Sequence, residues 1–229
     1  MSLTQFSNGY TVDLAAVSRA TRAAEKWLVV DAIQGVGQVP VDVQATLVDF
    51  LACGAQKWLL SPWGTGFLYV RKELCTRLEP TFVGWAAFAA SDDYTNLTSY
   101  DPRLWPDARR FELLTFAVQD FAAMNASLEL ILDAGINRIV EHTRRLHRAV
   151  IEAVTASGGR VTSPQGARGS AILCVQPAGD VVAAFARLQS GGVHCSLREG
   201  AIRLSPHLFN NEAEMGRVAA LLAVPRWQH

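Results

Sequence analysis

Apolar residues in the first third of the chain come in two spacings. Over residues 12–26, VDLAAVSRATRAAEK, they recur at helical intervals with Asp13 near the front, which predicts an amphipathic helix. WLVVDA (27–32) breaks that period: its apolar residues run together without alternation, as in strands buried on both faces of a parallel sheet. LVDFLAC (47–53) is a second such run, after the connection GVGQVPVDV. The turn SPWGTG (61–66) leads into a third, FLYV (67–70). Helix, strand, connection and strand in this order predict an open α/β sheet.

The pattern then changes. Residues 83–110 are aromatic and polar without a period and read as a long ordered loop. A helix is predicted from Phe116 to Ala134, and a second over 136–157, where Ile136, Ile139, Val140, Thr143, Leu146, Val150, Ile151 and Val154 share a face. Gly158-Gly159 ends it. RVTSP, SAILCVQ, a helix through 180–189, GGVHCSLREG, AIRLS and a last helix from about Asn211 complete the chain. This alternation predicts a smaller C-terminal α/β domain, 116–229, after a larger domain, 1–115.

Charge adds exclusions. The 229 residues carry 21 basic and 21 acidic side chains, and the densest basic run, Arg144-Arg145 with His147-Arg148, lies on a predicted helix and reads as a solvated face. Nucleic acid or an anionic membrane would need a clustered basic surface. No apolar stretch reaches the roughly 20 residues of a membrane span, and MSLTQFSNGY has neither region of a signal peptide. Cys53, Cys75, Cys174 and Cys195 lack CxxC spacing and read as reduced thiols of a cytoplasmic protein, with no zinc or other metal framework.

Candidate chemistry centres on two residues. Lys57 is the one charged side chain between Asp49 and Arg71, and Asp31 ends a predicted strand 26 residues earlier. Parallel neighbours would bring both to the carboxyl edge of the sheet, where open α/β sheets bind ligands. The two could simply form an ion pair. The flanking Pro62, Gly64 and Gly66 favour close backbone approach to a ligand. A lysine in an apolar pocket loses proton affinity and becomes a nucleophile toward carbonyls. A carboxylate beside a pyridine ring keeps the ring nitrogen protonated, so Lys plus Asp suits a pyridoxal phosphate (PLP) site. GVGQVP lacks the third glycine and downstream acid of a dinucleotide loop, and neither GxSxG nor HExxH occurs.

At this point the chain resembles a family. Asp31-x-x-Gln34, VDV-x(5)-DF, Lys57-Trp58 and Pro-x-Gly-x-Gly-x-Leu-Tyr-Val follow in order over residues 29–74, as in the cofactor segment of class V aminotransferases, which include cysteine desulfurases, kynureninases and isopenicillin-epimerase-like enzymes. The resemblance implies the aspartate aminotransferase-type fold of PLP-dependent transferases: here a partial large domain with an open, mostly parallel sheet, plus the small domain. It implies PLP as cofactor, Lys57 as the internal aldimine lysine, Asp31 on the pyridinium nitrogen and Gln34 on the phenolic oxygen. RRFELLT (109–115) resembles RFE-x-x-T, whose threonine reaches the phosphate of a neighbouring subunit's cofactor. That makes Thr115 a cofactor residue and the protein a homodimer; as plain sequence, Thr115 reads as an N-cap for the helix from Phe116. AIRLSPHLFNNEAE (201–214) resembles the motif whose arginine, here Arg203, holds the substrate carboxylate.

Three departures stand beside the likeness. Gly54-Ala55-Gln56-Lys57 replaces Ser-x-His-Lys, leaving Gln56 as the side chain able to donate to the phosphate. Seven residues separate Cys195 from Arg203, too few for the mobile cysteine loop of desulfurases, so Cys195 reads as a packed thiol. The family's phosphate loop and ring-stacking residue precede the equivalent of Asn8 and are expected to be missing. The functional expectation is a PLP enzyme acting on an amino acid by transamination, elimination or epimerisation. The alternative is a truncated, catalytically incompetent member that serves as a dimerising scaffold. Trp85, Phe88, Tyr94, Tyr100 and Trp105 in the loop either line a pocket or pack.

Overall fold

The computed structural model describes residues 1–96, 98 and 101–223; Tyr100 lies outside them. The chain divides into two compact units. The first comprises Met1, Leu14–Ala32 and Asp42–Leu128; the second comprises Ser2–Asp13, Ile33–Val41 and Glu129 onward.

In the first unit, α1 (Leu14–Ala23) precedes β1 (Val29–Asp31), β2 (Phe50–Gly54), β3 (Gly66–Val70) and the short α2 (Lys72–Cys75). The sheet order is β1-β2-β3. β1 and β2 are parallel, with Val29 opposite Phe50 and Asp31 opposite Ala52. β3 runs antiparallel to β2, from Phe50 opposite Val70 to Gly54 opposite Gly66. Gly66 is required at that last pair: a Cβ there would lie 2.6 Å from the Cys53 carbonyl oxygen.

β1 departs from the expectation of a strand buried on both faces. Val30 is fully buried, whereas Val29 is 55% exposed and Asp31 faces solvent. This sheet buries one face at β1, and the run of apolar letters carried no sign of which face. Leu28, Val30, Ala32, Val48, Leu51 and Cys53 are among the buried apolar residues of this stretch.

Asp49, just before β2, ties the amino-terminal side of this sheet together. Its buried carboxylate accepts the Leu28 amide at 2.7 Å and Arg71 Nε at 2.9 Å, with Arg71 Nη2 at 2.8 Å. The Asp49 carbonyl takes the Arg71 amide at 2.9 Å. One side chain thus reaches the residue before β1 and the residue after β3.

The described residues of the 83–110 stretch form a loop with two short 3₁₀ turns, Trp85–Ala87 and Ala108–Phe111, and an isolated bridge between Phe88 and Leu104. Trp85 meets Tyr94 edge-on, and the Arg109 guanidinium stacks 3.6 Å from the Trp105 ring centre. These aromatics pack on one another and on a cation, which is the packing alternative.

After α3 (Val118–Ala134), the second unit runs α4 (Ile136–Ala156), β4 (Arg160–Val161), β5 (Leu173–Gln176), α5 (Val181–Ser190), β6 (Ser196–Arg198), β7 (Ala201–Leu204) and α6 (Glu212–Leu222). Its sheet, β4-β5-β7-β6, is antiparallel throughout. Leu146, Val150 and Val154 of α4 bury against Leu173, Val175 and Ile202 of the sheet, and Leu188, Val218 and Leu222 of α5 and α6 join them. The α4 face is the one its periodicity predicted, with one correction to the solvated basic run: Arg144, Arg145 and Arg148 are exposed, but His147 is buried because it falls on the apolar face with Thr143 and Val150. α6 begins with a full capping box, in which Asn211 Oδ1 accepts the Glu214 amide and the Glu214 carboxylate accepts the Asn211 amide. Strand alternation sends Cys174 and Arg203 to the face away from these helices.

Candidate active site

Asp31 is the last residue of β1, and Lys57 lies three residues past the end of β2. Because β1 and β2 are parallel and in register, both groups belong to the same edge of one sheet. That is the juxtaposition the strand order predicted. A carboxylate lies beside β2 at this edge: the Cys53 thiol is pushed up to about 11, first by burial and then by the charge of Asp31. Cys53 is therefore a neutral donor, its Sγ 3.7 Å from the Ala32 carbonyl.

Lys57 does not occupy an apolar pocket within this unit. It is exposed, while Trp58 and Leu59 take the buried positions next to it at 5% and 2%. Those two anchors and a knot of hydrogen bonds hold the turn that presents the lysine. Ala55 N donates to Thr65 O at 2.9 Å, Ser61 N to Ala55 O at 3.1 Å and Thr65 Oγ1 to Pro62 O at 2.7 Å. Leu60 sits at φ +54°, a left-handed conformation uncommon for a branched side chain, and its carbonyl is held by Ser127 Oγ at 3.0 Å. The amine projects from a fixed backbone, and its ammonium makes no hydrogen bond or ion pair among the described residues. Gln56, half-buried, precedes it in the same turn.

Thr115 is exposed and lines an open groove of about 880 Å³ with Gly66, Phe67, Asp107, Arg109 and Leu114. Its reading as a helix cap is corrected: α3 starts at Val118, and the Ala117 carbonyl accepts the first helical bond, from Phe121 at 3.1 Å. The residue in the cap position is Ala117, so Thr115 Oγ1 has no capping duty.

The other two sequence candidates belong to the second unit. Gln34 is half-buried in the turn after β1, and its carbonyl accepts Gln38 Nε2 at 2.6 Å. Arg203 is central in β7. Its Nη1 donates to the Phe6 carbonyl at 2.7 Å, and Nη2 lies 3.5 Å from Ser196 Oγ. Its Nε is buried without a partner among the described residues. Burial, then the neighbouring Arg198, lowers its proton affinity, yet a guanidinium stays charged at neutral pH. A cavity of about 600 Å³ beside it is lined by Gln189, Val193, His194, Cys195, Ser196 and Ser205. A charged donor with one buried N–H unpaired is chemically matched to a carboxylate. Cys195 packs against the helical core, and burial raises its thiol. All four cysteines are free thiols.

Sequence reasoning missed the Asp49 tie and the contact of Phe6 with Arg203. FSNGY signals a turn, but nothing local says where a turn docks.

The chain thus carries a parallel strand pair with an acid and a lysine beyond its carboxyl ends, and a separate antiparallel sheet bearing an arginine. The chain belongs to the class-V aminotransferase family, whose model matches residues 1–217. It is 30% identical over 210 residues to the uncharacterized aminotransferase YcbU of Bacillus subtilis, covering 92% of this chain and 54% of that protein. It is 31% identical over 157 residues to a probable cysteine desulfurase of Methanothermobacter thermautotrophicus, covering 66% and 38%. Among solved structures it is similar to the cysteine desulfurase of Thermococcus onnurineus, with a TM-score of 0.83 and 20% identity over 97% of this chain and 58% of that one. A C-DES variant with glycine covalently linked to its PLP cofactor gives a TM-score of 0.84 at 20% identity, over 97% and 59%. Identities this low carry the fold alone. The chain spans about half the length of the curated relatives that match most of it.

Proposed function

We propose that this chain carries the lysine and acid of a PLP-dependent enzyme that acts on an amino acid, of the aminotransferase or lyase type. The observation that carries this reading is the register of β1 and β2, which sets Asp31 and Lys57 at one edge of one sheet. The donor set fits the cofactor: an exposed amine for its aldehyde, a carboxylate for its ring nitrogen and amides for its oxygens. Lys57 Nζ would hold it covalently, Asp31 would face the pyridinium, Gln34 the phenolic oxygen and Gln56 the phosphate. Thr115 would serve the phosphate of a second copy's cofactor. PLP supplies an electron sink for charge that develops at the amino acid's α-carbon.

Each residue's part follows from its chemistry. Arg203 binds the substrate carboxylate through its unpartnered Nε–H and the weakly held Nη2 beside it. Lys57 Nζ would be the base that takes the α-proton and returns it. Asp31 would favour a protonated ring nitrogen by its charge. Cys195 is a partly buried thiol with raised proton affinity, which opposes its use as a thiolate nucleophile. A desulfurase-type reaction is therefore the least favoured of the family's chemistries for this chain.

A homodimer fits the exposed apolar row Leu113, Leu114, Phe116 and Val118 around Thr115. The same row is what favours the second reading, a catalytically incompetent scaffold that dimerises. A cytoplasmic location fits the four free thiols, and no helix among the described residues is long and apolar enough to cross a membrane. Incubation with PLP separates the readings. The enzyme gives an absorbance band at about 420 nm that Lys57→Ala lacks; no band at millimolar cofactor leaves the scaffold.

A further inference from the structure

A turn over residues 5–10 lies on the sheet face of the second unit that the helices do not cover. It is closed by Gln5 N to Tyr10 O at 2.9 Å, Gly9 N to Gln5 O at 2.8 Å and Tyr10 N to Asn8 Oδ1 at 3.0 Å. Two consecutive carbonyls of this turn are gripped from the sheet. Arg203 Nη1 donates to Phe6 O at 2.7 Å, and Cys174 Sγ donates to Ser7 O at 3.3 Å. Cys174 and Arg203 are directly opposite each other on β5 and β7, so the grip uses one cross-strand pair. Cys174 is buried, and burial raises its thiol to about 11, which keeps it a donor.

Gly9 is what lets the turn come this close. Its φ is +76°, and a Cβ there would stand 2.6 Å from the Ile172 carbonyl oxygen and 2.9 Å from the Ile172 Cβ. Both are backbone or near-backbone atoms of the sheet region, so an alanine must lift the turn.

The consequence falls on the guanidinium. With Nη1 held by Phe6, the plane of the group is fixed. The opposite edge, Nε and Nη2, is left with one buried unpaired N–H and one long contact to Ser196. Such an edge is a two-pronged donor for a carboxylate. We propose that the turn at residues 5–10 is the positioning element of Arg203: Phe6 fixes the guanidinium so that its Nε–Nη2 edge meets an α-amino acid's carboxylate. Gly9 and Cys174 act through that contact. The inference rests on the reading of Arg203 as the carboxylate-binding group.

The test reads Arg203 directly. In the full chain labelled with ¹⁵N-arginine, with PLP present, the Arg203 Nε–H resonance is identified by its loss in Arg203→Lys and titrated with L-alanine. The expected result is a saturable shift in the wild type, with about tenfold more alanine needed in Gly9→Ala, the size of one charge-assisted contact. Cys174→Ala weakens the titration in the same direction, and Cys174→Ser, which restores a donor, recovers it; this pair decides the matter if Gly9→Ala fails to fold. The proposal is overturned if the variants titrate like the wild type, or if the wild-type resonance does not move. Failure of the cofactor reading shows separately, as a missing absorbance band in a protein whose Arg203 resonance still responds as described.

Discussion

Replacing Asp49 by alanine strikes the side chain that braces the sheet beneath Asp31 and Lys57. The carboxylate is buried, accepts a backbone amide at 2.7 Å and pairs with Arg71 through two nitrogens at 2.9 Å and 2.8 Å. Its removal strands the Leu28 N–H, which lies in a buried residue, and leaves Arg71 with only its longer contact to the exposed Glu73. A buried amide deprived of a charged acceptor costs about 1–3 kcal/mol, and breaking a buried ion pair costs about 3–5 kcal/mol. Arg71 is partly exposed and recovers some hydration, so the expected total is about 3 kcal/mol. Asp49→Asn keeps an acceptor for Leu28 and is expected to lose about half as much. Urea denaturation followed by tryptophan fluorescence is the assay, since Trp27, Trp58, Trp63, Trp85 and Trp105 all belong to the first unit. Glu73→Ala is the control: that residue meets Arg71 at 3.4 Å from an exposed position and should cost under about 0.5 kcal/mol. If Asp49→Ala falls within about 1 kcal/mol of the wild type, the brace is a surface pair in effect and the reasoning fails.

Two further outcomes concern the second unit. His147 is buried against the Ala171 carbonyl at 3.2 Å, and burial lowers its pKa from 6.5 to about 4. The folded state therefore resists the proton that the unfolded chain accepts; stability is intact above pH 6.5 and is lost as pH falls toward 4. The full loss is about 3 kcal/mol, measurable by urea melts read by circular dichroism, and His147→Gln should flatten that part of the profile. Ile202, fully buried at the centre of the sheet, should cost about 2–5 kcal/mol as alanine and about 1 kcal/mol as valine; equal costs in the same melts would mean that the site collapses around the loss.

Much of the frame was legible because it is local. The apolar stripe of α4 has a helical period, so Ile139, Leu146, Val150 and Val154 identify their own buried face. Asn211 three residues before Glu214 announces a helix start. The shared sheet edge of Asp31 and Lys57 was legible because two apolar runs joined by a connection long enough for a crossover, residues 32–49, pair as parallel neighbours. What failed to show depends on partners distant in sequence. The single buried face of β1 is set by the sheet it joins, and no letter in WLVVDA encodes it. The outward turn of Lys57 follows from Trp58 and Leu59 occupying the buried positions beside it. The start of α3 at Val118 moved the cap away from Thr115, since a threonine ahead of an apolar run suits both roles. Asp49 with Arg71, and Phe6 with Arg203, are 22 and 197 residues apart, and such pairs leave no periodicity to read.

The central claim is that the Lys57 amine is the covalent anchor for PLP. Incubation of the full chain with PLP, reduction with borohydride and mass mapping of the peptides reads that bond directly. The account predicts a reduced pyridoxyl adduct on the peptide bearing Lys57, at about one per chain, and its disappearance in Lys57→Ala. An adduct spread over Lys26 and Lys72 as readily as Lys57, or none at all, would contradict it.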